Sequence, residues 1–324
     1  MYASSLLSAI GNTPLVKLPF KSPATILAKL EYLNPGGSMK DRSALYMVEQ
    51  AEKRGDLKPG GTIIDASSGN HGIALAMIGA AKGYRVVISV SQKCSKEKYQ
   101  TLLAYGAEVL VCPPTDFIEH PDSYHSQAKA LLAKTPNSFM PNQYFNIENA
   151  HGHYHLLGTE IWKQTEGKIT HFFAGTGTGG TVSGAGRYLK EQNSHVKVYG
   201  IDAATSFHAT NGNPKPYKIE GLGIDFDSDV IDYSVINELI NITDPEALDM
   251  LKVLAHQYGF LVGPTTGAVA AAVQKKLSEF KEGDLVVAIF GDSGRAYLSK
   301  NFYSEPVDQI TLSPRIIDQS NQTL

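Results

Sequence analysis

Lys40 closes the run Asn34-Pro35-Gly36-Gly37-Ser38-Met39-Lys40-Asp41-Arg42, where a Pro/Gly turn hands a strand-like stretch, 25–30, to a helical pattern. A lysine in the first helical turn meets the positive end of the backbone dipole, which disfavours its charge. It is either a solvated surface amine or a partly buried one, whose lowered pKa makes it a nucleophile toward a carbonyl. Two other stretches suit such an amine. Asp65-Ala66-Ser67-Ser68-Gly69-Asn70-His71-Gly72 lies between a strand and an apolar helix. Its hydroxyls and free N–H groups make either a carboxylate or phosphate site or an ordinary capped turn. Gly175-Thr176-Gly177-Thr178-Gly179-Gly180-Thr181 follows another strand, and glycine at that density implies that something approaches the backbone closely. The same loop spells GxGxxG, with Asp202 lying 22 residues past Gly180, as a nicotinamide-dinucleotide site requires. A dinucleotide explains this one loop and leaves Lys40 and the 67–71 loop without a task.

Two later turns belong with these. Gly263-Pro264-Thr265-Thr266-Gly267 precedes a small-residue helix, 268–276, and its hydroxyls either cap that helix or face a ligand. Phe290-Gly291-Asp292-Ser293-Gly294-Arg295 closes the last strand. Loops at the carboxyl ends of parallel strands converge on one crevice, where open α/β sheets bind their ligands. His151, His153 and His155 alternate as metal ligands on a strand would, yet their surroundings read as a loop entering a helix, with no cysteine or carboxylate at ligand spacing. No metal is expected. Cys94 and Cys112 read as small buried hydrophobes.

The elements that must carry these loops alternate strand and helix, the pattern of a parallel sheet wrapped by helices. Strands are expected at 62–65, 85–90, 108–111, 171–174, 197–201 and 285–290. Helices are expected at 72–82, apolar nearly all round, at 96–106 and 124–134, and at 246–258 behind an Asp244-Pro245 cap. The stretch 136–149, with two prolines and four asparagines, breaks the rhythm and marks the domain switch. The stretch 203–217 reads as a long loop, and the polar run after Pro306 as a tail. A chain of 324 residues suits two domains. Its net charge of −3 and lack of basic runs give no pull toward nucleic acid or anionic membranes. With no spanning-length apolar run and no signal-like start, a cytoplasmic protein is expected.

In this order, N-P-G-G-S-M-K-D-R, S-S-G-N-x-G, G-T-G-G-T and G-x-T-T-G resemble the pyridoxal-phosphate enzymes of the cysteine synthase and cystathionine β-synthase family, and the likeness runs over 10–298. The resemblance implies an α/β fold of two three-layer α/β/α domains with mostly parallel sheets and the cofactor in the cleft between them. The smaller domain would be 41–145, the larger cofactor-binding one 1–40 with 146–305, and the tail 306–324. By the same resemblance Lys40 forms the Schiff base with pyridoxal 5'-phosphate and Asn70 meets the ring hydroxyl. Gly177, Thr178, Gly179, Gly180 and Thr181 hold the phosphate, and Thr265 meets the pyridine nitrogen. Ser67, Ser68, Gly69, His71, Gln143 and Gly221 face the substrate.

A hydroxyl at the pyridine nitrogen draws negative charge into the ring less completely than a carboxylate would, which favours loss of a β-substituent. The implied reaction joins serine or an O-activated serine to a thiol or sulfide through an aminoacrylate, giving cystathionine or cysteine. A serine or threonine dehydratase, or a diaminopropionate-precursor synthase, would use the same fold. A different class, an NAD(P)-dependent oxidoreductase, would use the 175–180 loop, and a non-catalytic scaffold is a third option. His71 stands where the family usually has threonine, so it is either an imidazole donor to the carboxylate or a packed ring. The 220–226 loop is closer to the cystathionine β-synthase version. The family suggests a homodimer, and the absence of haem-binding and regulatory extensions suggests unregulated catalysis.

Overall fold

Runs such as Thr62–Ala66, His171–Gly175 and Leu285–Phe290 are buried along their whole length, as strands covered on both faces must be. The computed structural model describes residues 3–92, 94–115, 117–224 and 226–303, so the tail expected from 306 lies outside the described residues. Its strands are β1 (Leu15–Lys17), β2 (Thr25–Leu30), β3 (Thr62–Ala66), β4 (Arg85–Ser91), β5 (Glu108–Cys112), β6 (Ser138–Phe139), β7 (His171–Gly175), β8 (Lys197–Ala203), β9 (Glu238–Ile242) and β10 (Leu285–Phe290). They form a six-stranded sheet, β1-β2-β10-β7-β8-β9, and a four-stranded one, β5-β4-β3-β6. Only the β1–β2 pair is antiparallel.

The helices are α1 (Lys40–Arg54), α2 (Asn70–Lys82), α3 (Lys96–Ala104), α4 (Tyr124–Lys134), α5 (Glu148–Gly152), α6 (Thr159–Gln164), α7 (Gly180–Gln192), α8 (Asp244–Tyr258) and α9 (Pro264–Lys275), with a π-helical turn, His153–Gly158, joining α5 to α6. Strand alternation sorts them onto faces. In β10, Val286, Ala288 and Phe290 pack in one cluster with α8 and α9, while Val287 and Ile289 pack with α6 and α7. In β3, Ile63 faces α1 and α2, and Ile64 and Ala66 face α4. Each sheet is thus the middle of three layers.

The expected strands are present to within two residues, and β1, β6 and β9 join them. Helix starts differ more. The α2 helix begins at Asn70, two residues early, and α9 at Pro264, so that Thr265 and Thr266 lie inside its first turn. The cap of α8 is Thr243, not Asp244: its hydroxyl accepts from Glu246 N, and the Glu246 carboxylate answers on Thr243 N at 2.8 Å. The histidine stretch, expected as a loop entering a helix, is helical already from Glu148, and its glycines let it pack closely. A Cβ on Gly152 would sit 3.0 Å from Tyr46 Cβ, and one on Gly158 2.8 Å from Tyr188 Cβ, so this helix packs closer to α1 and α7 than any larger residue permits.

Candidate active site

Each sheet has a point where the strand order reverses, between β10 and β7 in the larger and between β3 and β6 in the smaller. Loops leaving such neighbours part in opposite directions and open a crevice. The two crevices face each other across a cleft of about 840 Å³. Lys40, Ser67, Ser68, Gly69, Asn70, His71, Gln143, Gly177, Thr178 and Gly221 all line it, and Gly179, Gly180, Thr181 and Thr265 lie behind that wall.

Lys40 reaches the cleft through a pinned turn. Gly36 N donates to Asp41 Oδ2 at 2.6 Å, Gly37 takes a φ of +85°, and Met39 N donates to Gly291 O at 2.8 Å. The Lys40 Nζ donates to Thr178 Oγ1 at 3.5 Å. Burial lowers its pKa to about 8, against an opposing pull from the Asp292 carboxylate. This is the partly buried amine of the two readings, one that gives up its proton more readily than a surface lysine.

Across from it, β7 ends in the glycine loop and α7 begins, with Gly179 at a φ of +83°. Gly180 N donates to Thr178 Oγ1 at 3.3 Å, and Asn149 Nδ2 holds that same hydroxyl at 3.0 Å. Thr181 Oγ1 lies 3.2 Å from His153 Nε2. His153 is fully buried and held neutral by burial and by the charges of Lys40 and Arg42. A Cβ on Gly177 would come 2.5 Å from Gly221 O, and one on Gly180 2.4 Å from Asn149 Oδ1, so bare backbone is required at the start of a 13-residue helix. Gly177→Ala is expected to push the 221 carbonyl and weaken cofactor binding, by about 1–3 kcal/mol if it behaves like other overpacked sites. Fluorescence titration of cofactor-free protein checks this.

The β3 loop faces the same space. Ser67 Oγ accepts from Gly72 N at 3.1 Å, and Ser68 Oγ accepts from Ser91 N at 2.7 Å, so both hydroxyls shape the turn. Gln143 is buried, with its Oε1 unpartnered. His71 is the packed ring of the two alternatives: 2% exposed, with Nε2 3.1 Å from Asp65 Oδ2. The Thr265 hydroxyl donates to Glu220 O at 2.9 Å, which seats Gly221 against it, and Thr266 Oγ1 accepts from Gly291 N.

Several residues here carried no expectation from the sequence. Asn149 and His153 anchor the phosphate-loop threonines, Asp65 holds His71, and Asp292 holds Asn70. Asp65 and Asp292 lay in loops singled out beforehand and His153 in the histidine stretch, but none of them with this role. The half-buried Cys94 packs against the small-sheet core, as a small hydrophobe would, and also lines the cleft. The acid proposed for a dinucleotide ribose is spent: Asp202 is buried and accepts from Ser206 Oγ at 2.6 Å and Ala203 N at 2.8 Å. His151, His153 and His155 go to Glu148, Thr181 and Tyr46, and among the described residues no group of three His, Cys, Asp or Glu is placed to hold a metal.

A family model described as pyridoxal-phosphate dependent enzyme matches residues 6–292. The chain belongs to this family. It is a pyridoxal-phosphate-dependent enzyme, and its relatives include cystathionine β-synthases and cysteine synthases. A cystathionine beta-synthase of Apis mellifera is 42% identical over 309 residues, which are 93% of this chain and 61% of that protein. The chain therefore spans less than two thirds of this relative. A cysteine synthase of Staphylococcus aureus is 38% identical over 299 residues, 91% of this chain and 95% of its own. Among solved structures, an O-acetylserine-dependent cystathionine beta-synthase from Helicobacter pylori superposes with a TM-score of 0.87 at 35% identity, covering 94% of this chain and 99% of that one. An O-ureido-L-serine synthase gives 0.89 at 33% identity, covering 97% and 98%. Among the described residues no helix is long and apolar enough to cross a membrane.

Proposed function

We propose that this enzyme carries out β-replacement, exchanging the β-substituent of serine or an O-activated serine for a thiol or sulfide to give cystathionine or cysteine. The observation that carries the reading is Lys40 Nζ, a buried amine of lowered basicity, directed at Thr178 in the helix-terminal glycine loop. That pairing matches the two ends of pyridoxal phosphate. Lys40 would bond the aldehyde, residues 177–181 would hold the phosphate, and Asn70 and Thr265 would meet the ring. When bound, the cofactor supplies an electron-accepting ring conjugated to the amino group of the substrate.

The chain's own groups do the rest. With its basicity lowered by burial to a pKa of about 8, Lys40 Nζ would take the proton from Cα of the bound amino acid when unprotonated. Backbone N–H groups of the 67–69 loop and the Gln143 amide hold the carboxylate, which fixes the Cα–H bond toward that nitrogen. The neutral Thr265 hydroxyl leaves expulsion of the β-group as the favoured exit for the electrons. The relatives' activities support amino-acid β-replacement as a class, and the division into 41–145 and 1–40 with 146–305, and a homodimer, are part of the proposal.

Product analysis tests it. The holoenzyme is incubated with serine, O-acetylserine or O-phosphoserine, each alone and with homocysteine or sulfide. Thioether or cysteine formed only when the sulfur compound is present is the expected result. Keto acid released regardless of it would make the enzyme a dehydratase.

A further inference from the structure

Behind the cleft-lining Asn70 and Tyr297 stands a carboxylate that the reading above leaves unused. Asp292 follows β10 and is buried. Its Oδ2 accepts from Asn70 Nδ2 at 2.7 Å and from the Tyr297 hydroxyl at 2.5 Å. Its Oδ1 has no partner and lies over Gly263, where a Cβ would sit 2.1 Å away. The backbone is fixed as tightly, since Asp292 pairs with Ser38 across a β-bridge and Gly263 N donates to Asp292 O at 3.0 Å. The Lys40 turn and this carboxylate are thus held in one frame.

We infer that Asp292 is a positioning residue: it fixes which edge of the Asn70 amide faces the cleft and supplies the negative charge opposite Lys40 Nζ. The inference rests on the reading of Lys40 as the cofactor lysine. A carboxylate can only accept, so Asn70 must turn its NH₂ toward Asp292, and the amide cannot flip. Its carbonyl and second N–H therefore keep one direction. Two donors converging on one oxygen away from water make a strong arrangement, and burying a carboxylate for packing alone would be costly.

The charged and titratable groups around the pair come from every neighbouring element. Lys98 of α3 and Glu220 act on Asp292, and they also bond each other at 2.7 Å, so their charges largely offset. Tyr297 and Tyr303 approach from the C-terminal side and stay protonated, burial raising both. On the other side His153 is neutral. Asp292 remains as the charge that acts on Lys40: burial raises its own carboxyl, the Tyr297 and Asn70 hydrogen bonds and Lys98 oppose that rise, and its charge works against the burial that lowers the lysine.

The test is a visible-spectrum pH titration of the holoenzyme together with its cofactor affinity. Asp292→Asn keeps the shape, and its carbonyl still accepts from Asn70 and Tyr297, but the charge is gone. The midpoint for the Lys40 linkage is expected to fall by about one unit, a tenfold change in acid constant. An unmoved midpoint overturns the charge assignment. Asp292→Ala is expected to show the same fall and to lose cofactor affinity about tenfold further, because Asn70 can turn. Unchanged affinity in that variant overturns the orienting role. Should it fail to fold, Asp292→Asn decides alone. A wild-type protein that binds no chromophore at Lys40 would instead remove the functional reading beneath the inference.

Discussion

Lys40→Ala is expected to lower β-replacement by roughly 10⁴-fold, the upper range for losing a positioned proton-transfer group, and to leave the purified protein without its covalently linked chromophore. Lys98, which also lines the cleft, is held by Glu220 at 2.7 Å and packs over the Tyr297 ring at 4.2 Å. Lys40→Arg should be as inactive, because a guanidinium stays protonated and cannot take the Cα proton. Steady-state kinetics and the visible spectrum check both variants. Activity in either above about a tenth of wild type, on the same scale, would take this amine out of the chemistry.

Arg42→Met is expected to cost about 3–5 kcal/mol of stability, the usual loss when one partner of a buried ion pair is removed. Arg42 spans two carboxylates, with Nε 2.7 Å from Glu31 Oε2 and Nη1 2.8 Å from Glu160 Oε2, and Lys29 closes the group on Glu160. Glu31 and Lys29 are wholly buried and Glu160 is 12% exposed, so removing the guanidinium strands negative charge in the interior. Against burial, which raises it, Arg42 and Lys29 hold the Glu160 carboxyl down at about 2, where an unfolded glutamate titrates near 4.5. A carboxyl depressed in the folded state contributes its stability above the unfolded value and loses it as the pH falls toward the folded one. Wild-type protein should therefore lose stability between about pH 4.5 and 2, and Arg42→Met should lose much less there. Urea unfolding at several pH values measures both effects, and adding Glu160→Gln to Arg42→Met should recover part of the loss. A neutral-pH cost below about 1 kcal/mol, the range of exposed pairs, would mean that water reaches the group.

How far the sequence revealed the molecule depended on the range of the forces involved. The β3, β4, β7, β8 and β10 strands were plain because compact apolar β-branched runs need no distant partner to be recognised. β9 was missed, since Glu238–Ile242 buries only Ile240 and Ile242 and lies at a sheet edge. The 148–158 stretch was read as a loop entering a helix rather than as helix throughout, because Gly152 and Gly158, poor helix formers, are required by Tyr46 and Tyr188, which are remote in sequence. The same holds in the cleft. Lys40, the 67–71 loop and the 177–181 loop could be read as local motifs, and they come together as expected. The partners that orient them could not, since Asn70 and Asp292 are 222 positions apart and Lys29 and Glu160 are 131 apart. His71 shows the limit most clearly: its spacing allowed a ligand donor, and only the position of Asp65 shows a ring turned into the interior.

The α1 helix begins on one layered body and runs along another. Its first residues are tied to the large sheet through Met39 and Ser38, while Ala44, Val48 and Ala51 sink into the cluster built on the small sheet. If the two bodies tilt toward each other, the helix behaves as a lever whose fulcrum is its own N-terminus. The far end sweeps and the reactive nitrogen hardly moves, so grip on a substrate can tighten without disturbing the atom that must stay in line.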